Sequence, residues 1–109
     1  MGPRRVGKTV LLYHLIQRLL GKGTPPRTIG YVSVDHPLYT GLTLESILAL
    51  VSEASGHDFD TKPCFLFLDE IQYLPNWEAH LKSLVDRHPR ARFIASGSGR
   101  HSSGPRAVY

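Results

Sequence analysis

Residues 2–9, Gly2-Pro3-Arg4-Arg5-Val6-Gly7-Lys8-Thr9, follow the pattern G-x-x-x-x-G-K-[ST] and run straight into an amphipathic stretch. Each position in that pattern has a physical task. Glycines let the backbone fold into a concave nest whose N–H groups point at phosphate oxygens. The N-terminus of the following helix adds the positive end of its dipole. Lys8 reaches the β and γ phosphates, and the Thr9 hydroxyl can ligate Mg2+. Gly2, Pro3, Arg4, Arg5, Val6, Gly7, Lys8, Thr9 and Val10 therefore form the candidate nucleotide-binding segment. The rival reading is a glycine-rich turn that only caps a helix.

The rest of the chain alternates helices with strands. Over residues 9–20, Leu11, Leu15 and Leu19 recur every fourth position, as do Leu12, Ile16 and Leu20, which predicts a helix. Gly21-Lys22-Gly23 stops it, and Pro25-Pro26 blocks any continuation. Thr28 to Val34 reads as a strand, and 43–55 as a helix with Leu44, Ile47, Leu48 and Val51 on one face. Cys64-Phe65-Leu66-Phe67-Leu68 is an unbroken apolar run, as in a parallel strand covered on both faces. Asn76 is a candidate cap for a third helix over 77–88, with Trp77, Leu81, Leu84 and Val85 facing inward. A last short strand covers Arg92 to Ala95, and the Gly/Ser/Arg-rich tail that follows has no hydrophobic period. Strands alternating with helices predict a parallel sheet with right-handed crossovers.

Two strand ends carry further chemistry. Phe65 to Leu68 ends in Asp69-Glu70. An ionised acid is costly inside a sheet, so Asp69 belongs at the carboxyl end, where α/β sheets bind ligands. There it can hold Mg2+, largely through water, while Glu70 is placed to take a proton from an attacking water. Such an acidic strand end gains its meaning from the glycine-rich segment upstream. Phe93-Ile94-Ala95 ends likewise in Ser96-Gly97-Ser98. Ser96, ahead of Ser98, can hydrogen-bond a γ-phosphate or the attacking water, although Ser-Gly-Ser by itself is a turn.

Composition narrows the remaining choices. An apolar fraction of 41% permits a true core, and a charge of +4 suits a polyphosphate. No block of like charge appears, so nucleic acid is not indicated. The single Cys64 excludes an internal disulfide and points to a reducing, cytoplasmic setting, and its apolar neighbours make it a small buried hydrophobe. No apolar run is long enough for a membrane span. The six histidines are scattered without metal-ligand spacing. Trp77 with Leu81 and Leu84 reads as core, and Arg4 and Arg5 face solvent or a neighbouring subunit.

Gly2 to Thr9, Leu68-Asp69-Glu70-Ile71-Gln72, Trp77-Glu78 and Ile94-Ala95-Ser96-Gly97-Ser98 together resemble the AAA-type P-loop ATPases of bacteria and archaea. The similar subgroup carries a GPRRVGKT loop, a DEIQ box and a TGS-like strand end. The likeness covers about residues 2–98 and implies a P-loop NTPase fold, three-layer α/β/α with a parallel sheet. It implies ATP and Mg2+ as cofactors, Lys8 and Thr9 as phosphate and Mg2+ contacts, Asp69 as the Walker B acid, Glu70 as catalytic base and Ser96 as sensor. Such folds place an apolar strand before the P-loop at the centre of a sheet of order 5-1-4-3-2, and add a helical lid and an arginine finger. Here only Met1 precedes Gly2, and nothing selects a finger among Arg90, Arg92, Arg100 and Arg106. The expectation is a truncated ATPase core over 1–98 and a disordered tail over 99–109. The expected function is ATP binding with Mg2+-dependent hydrolysis. The alternative is a non-catalytic remnant acting as a protein-interaction module. With the strand that ends at Ser96 lacking a neighbour, the isolated chain is expected to hydrolyse ATP poorly and to self-associate along that edge.

Overall fold

The computed structural model describes the backbone of residues 3–59, 62–97 and 104–108, with side chains over 9–59 and 62–97. In chain order the described elements are α1 (Pro3–Gly21), β1 (Ile29–Ser33), α2 (Leu44–Ser55), β2 (Cys64–Asp69), α3 (Trp77–Arg87), β3 (Ala91–Gly97) and β4 (Gly104–Val108). Short 3-10 turns occupy Pro26–Thr28, Pro37–Tyr39 and Ile71–Tyr73.

The sheet has the order β1-β2-β3-β4. Its first three strands are parallel, as the alternation of strands and helices predicts. Ile29 stands opposite Phe65 and Ser33 opposite Asp69, while Cys64 stands opposite Ala91 and Leu68 opposite Ala95. β4 joins β3 antiparallel, from Ile94 opposite Val108 to Gly97 opposite Gly104, with a bulge between Ala95 and Ser96.

That fourth strand departs from the expected tail. Residues 98–103 and 109 lie outside the described residues, but Gly104–Val108 is paired. The β3 edge, expected to be open for self-association, is therefore lined by the chain's own backbone. Hydrogen-bonding groups along β3 supply the strand partner that the composition of 104–108 does not advertise. Pro105 is tolerated because β4 is an outer strand, where a missing N–H costs no further ladder bond.

Period-two alternation divides the strands between two faces. Leu66 and Leu68 of β2 and Phe93 and Ala95 of β3 face α2 and α3, where they pack with Ile47, Leu48, Leu81 and Leu84. Phe67 and Ile94 face the other way, against Leu12 of α1. The result is three layers, with α1 alone on its side among the described helices. α2 approaches β1 closely. A Cβ at Gly30 would stand 2.7 Å from Val51 Cγ1 and 3.0 Å from Leu66 Cδ1, so glycine is what the contact requires. Glu45 of α2 ties this layer to the end of α3, accepting from Arg87 at 2.7 Å and lying 3.3 Å from His88 Nε2.

α2 is capped at both ends by local chemistry. Thr43 accepts the Ser46 N–H, and Gly56 closes the helix in the left-handed conformation at φ 71°. α3 lacks the expected cap. Asn76 itself is left-handed at φ 56° and makes no side-chain cap, so its tolerance of that backbone serves the turn instead. α1 begins at Pro3 rather than at residue 9. Proline suits a first helical position, and Arg4, Arg5 and Lys8 are good helix formers, which outweigh the poorer Val6 and Gly7. Its inward side is Leu12, Leu15, Ile16 and Leu19, leaving Leu11 and Leu20 more exposed than the every-fourth-residue reading implies.

Candidate functional site

β2 carries its alternation to the last residue, so Asp69 falls on the face shared by Phe65 and Phe67, turned towards α1. Asp69 is only 2% exposed, and burying a carboxylate so deeply requires donors. They come from three parts of the chain. The Thr9 hydroxyl donates to Oδ2 at 2.9 Å across 60 residues of sequence. The Tyr31 hydroxyl donates to the same oxygen at 2.6 Å, and the Glu70 N–H donates to Oδ1 at 3.0 Å. Helix α1, strand β1 and the turn after β2 thus converge on one carboxylate. Burial pushes the Tyr31 phenol well above its ordinary range, and the neighbouring Asp69 carboxylate adds to the shift. The hydroxyl therefore keeps its proton and acts as a donor.

Glu70 follows in left-handed backbone at φ 56°, and its side chain is held by the Gln72 amide, which donates to Oε1 at 2.7 Å. Gly97, at the end of β3, makes room for that pair. A Cβ there would lie 2.5 Å from Gln72 Oε1. Ser96 occupies the preceding position, fully buried, on the strand that neighbours β2 and one residue beyond Ala95, the partner of Leu68. Alternation with Ile94 assigns it to the α1 face. Its Oγ is buried with no hydrogen-bond partner among the described residues. An orphaned hydroxyl in such a place calls for an explanation, and a ligand oxygen is a sufficient one.

The structure joins Thr9 to Asp69, which Glu70 follows in the chain, and puts Ser96 next to the end of the adjacent strand. Gly2 lies outside the described residues. Pro3, Arg4, Arg5, Val6, Gly7 and Lys8 lie in the first turns of α1, and their side chains are outside the described set. Val10 is 42% exposed on α1. Sequence reasoning gave no role to Tyr31 or Gln72. No pattern in the sequence marks Tyr31, whose role depends on which strand lies beside β2. Gln72 stands in the DEIQ box, but only the turn geometry reveals that it holds Glu70.

The donor set fits Mg2+. Thr9 Oγ1 and the Asp69 carboxylate are hard oxygens within hydrogen-bonding distance of each other, and Mg2+ typically takes one or two protein oxygens, keeping waters and phosphates for the rest. Among the described residues no group of three His, Cys, Asp or Glu side chains could hold a metal ion by itself. A separate cleft of about 550 Å³ lies beyond the end of β1, lined by Asp35, Tyr39, Tyr73, Asn76 and His80 among others, and excludes Asp69, Glu70 and Ser96. No described helix is long and apolar enough to cross a membrane.

Comparison with known proteins agrees with this architecture. The chain is 35% identical over 97 residues to an uncharacterized protein of Methanocaldococcus jannaschii, an alignment covering 89% of this chain and 20% of that protein. The chain thus spans about a fifth of the length of this relative. No solved structure matches it. A family model described as an AAA domain matches residues 1–106, and with nearly the whole chain inside that match, the chain belongs to the AAA domain family.

Proposed function

We propose that the chain binds ATP through Gly2 to Val10 and, with Mg2+, hydrolyses it as part of an AAA-type ATPase of the subgroup marked by GPRRVGKT and DEIQ motifs. The observation that carries this reading is the 2.9 Å hydrogen bond from Thr9 to Asp69. It unites the last residue of the G-x-x-x-x-G-K-[ST] pattern with the acid that ends β2, two hard-oxygen positions suited to a hydrated cation. Bound there, Mg2+ would neutralise charge on the phosphate oxygens. Lys8 would contact the β and γ phosphates. Thr9 and Asp69 would hold the metal. Glu70, its side chain steadied by Gln72, takes the proton of the attacking water, and the buried Ser96 hydroxyl donates to a phosphate oxygen or to that water. The single buried thiol supports a reducing, cytoplasmic setting.

Isothermal titration with ATP and Mg2+, run beside a phosphate-release assay on the full chain, tests the assignment. Lys8→Ala is expected to abolish binding. Glu70→Gln is expected to keep binding and to lose about 10²–10⁴ in rate. Wild-type affinity in Lys8→Ala would overturn the reading.

One observation favours the non-catalytic alternative. Residues 3–8 follow helical backbone, and amides beyond the first turn of a helix are spent on its own carbonyls rather than on phosphate. A protein-interaction module with no affinity for ATP would give a flat titration for the wild-type chain as well as for Lys8→Ala.

A further inference from the structure

Tyr31 belongs to no motif, yet it touches the acid at the centre of the site. It sits in the middle of β1, opposite Phe67, on the face turned to α1. Any apolar β-former would fill that position as well. The hydroxyl, however, reaches Asp69 Oδ2 at 2.6 Å, a short charge-assisted bond. The ring also meets Tyr13 of α1, with centroids 5.4 Å apart. A hydroxyl bond and a ring contact thus hold the phenol.

A carboxylate at the end of a side chain is loosely oriented when left alone, because the terminal torsion of aspartate is broad. Ligating carboxylates are accordingly oriented by hydrogen bonds from outer partners. At Asp69 the available partners differ in kind. The Glu70 N–H holds Oδ1, and Thr9 and Tyr31 share Oδ2. In the nucleotide reading Thr9 turns its oxygen to the metal. Tyr31 does not, since a protonated phenol is a poor Mg2+ ligand. It is the side-chain donor that stays with Asp69 before and after loading.

We propose that Tyr31 is a positioning residue for Asp69, its hydroxyl fixing the orientation of the carboxylate and thereby setting how tightly the site holds Mg2+ with nucleotide. The inference rests on the nucleotide reading above. It makes β1, a strand without a motif, a determinant of metal affinity.

Tyr31→Phe removes one oxygen and keeps the ring. Mn2+, an EPR-visible stand-in for Mg2+, titrated into the full chain with ADP, reads metal affinity without turnover. Tyr31→Phe is expected to weaken Mn2+ binding by about 10- to 100-fold, as loss of outer partners of metal ligands does. ADP affinity in EDTA should stay at the wild-type value, and the urea midpoint should fall only slightly, as loss of one of three donors to a buried carboxylate implies. Unchanged Mn2+ affinity overturns the proposal. So does an equal loss of ADP affinity in EDTA, or a collapse of the urea midpoint, either of which makes Tyr31 a packing residue. If the wild-type chain binds no ADP in either arm, the nucleotide reading itself fails and takes this inference with it.

Discussion

On the sheet face covered by α2 and α3, Leu66, Leu68, Phe93 and Ala95 meet Ile47, Leu48, Leu81 and Leu84 almost without exposure to solvent. On the α1 face, Leu12, Phe67 and Ile94 are the fully buried apolar side chains among the described residues, and the polar Asp69 shares that side. The contrast separates two duties. One face holds the fold together, since each buried Leu or Phe contributes about 1.5–3 kcal/mol. The other accepts a thinner apolar layer and in exchange gathers polar groups where a ligand could reach them.

The largest effect should come from opening the thick face. Phe93→Ala removes a fully buried ring on β3, between the sheet and the helices, and should cost about 3–5 kcal/mol. Against a total stability of about 5–15 kcal/mol for a domain, urea titration should show most of the folded population lost early. Leu12→Ala on the thin face should cost about 2 kcal/mol, the lower end for such truncations, because its half-exposed neighbours Leu15, Ile16 and Leu19 can relax into the space. It should weaken nucleotide binding more than it weakens the fold, since it loosens the helix that brings Thr9 to Asp69. A Leu12→Ala variant as unstable as Phe93→Ala, with nucleotide affinity intact, would break the comparison.

The smallest effect is one of pH. Burial pushes the Cys64 thiol from 9.0 up to about 11, with Asp58 adding to the shift. A raised pKa means that its contribution is fully present below pH 9 and is lost as pH rises towards 11, about 1 kcal/mol by pH 10. Urea midpoints measured from pH 8 to 10.5 should fall accordingly, and Cys64→Ala should flatten the first part of that fall. The Tyr31 phenol on the α1 face is raised as well, so its own contribution to the loss begins only above its ordinary value of 10.0.

The same division explains what the sequence could disclose. β2 and α2 are legible because burial on one or both faces imposes continuous or periodic apolar patterns, and Thr43 and Gly56 mark the ends of α2 with local chemistry. β4 is not, since its pairing with β3 is a backbone ladder and the sequence of 104–108 carries no apolar alternation. The start of α1 was read from a motif, whereas its local preference is helical. At the site, Asp69, Glu70 and Ser96 were legible because polar residues interrupt apolar runs. Tyr31 was not, because its meaning depends on which strand lies beside β2, and an aromatic residue in a strand ordinarily reports only packing.

Glu70 stands in left-handed backbone that glycine adopts freely and that costs other residues about 1–3 kcal/mol. The residue proposed as the base is therefore also a point of stored strain. Relief is available by substitution, to glycine without penalty or to asparagine nearly so, but each removes the carboxylate. With Glu70 as the proposed base, position 70 sets durability against turnover, and a search for hardier versions of this chain guided by melting temperature alone would be drawn towards replacing it.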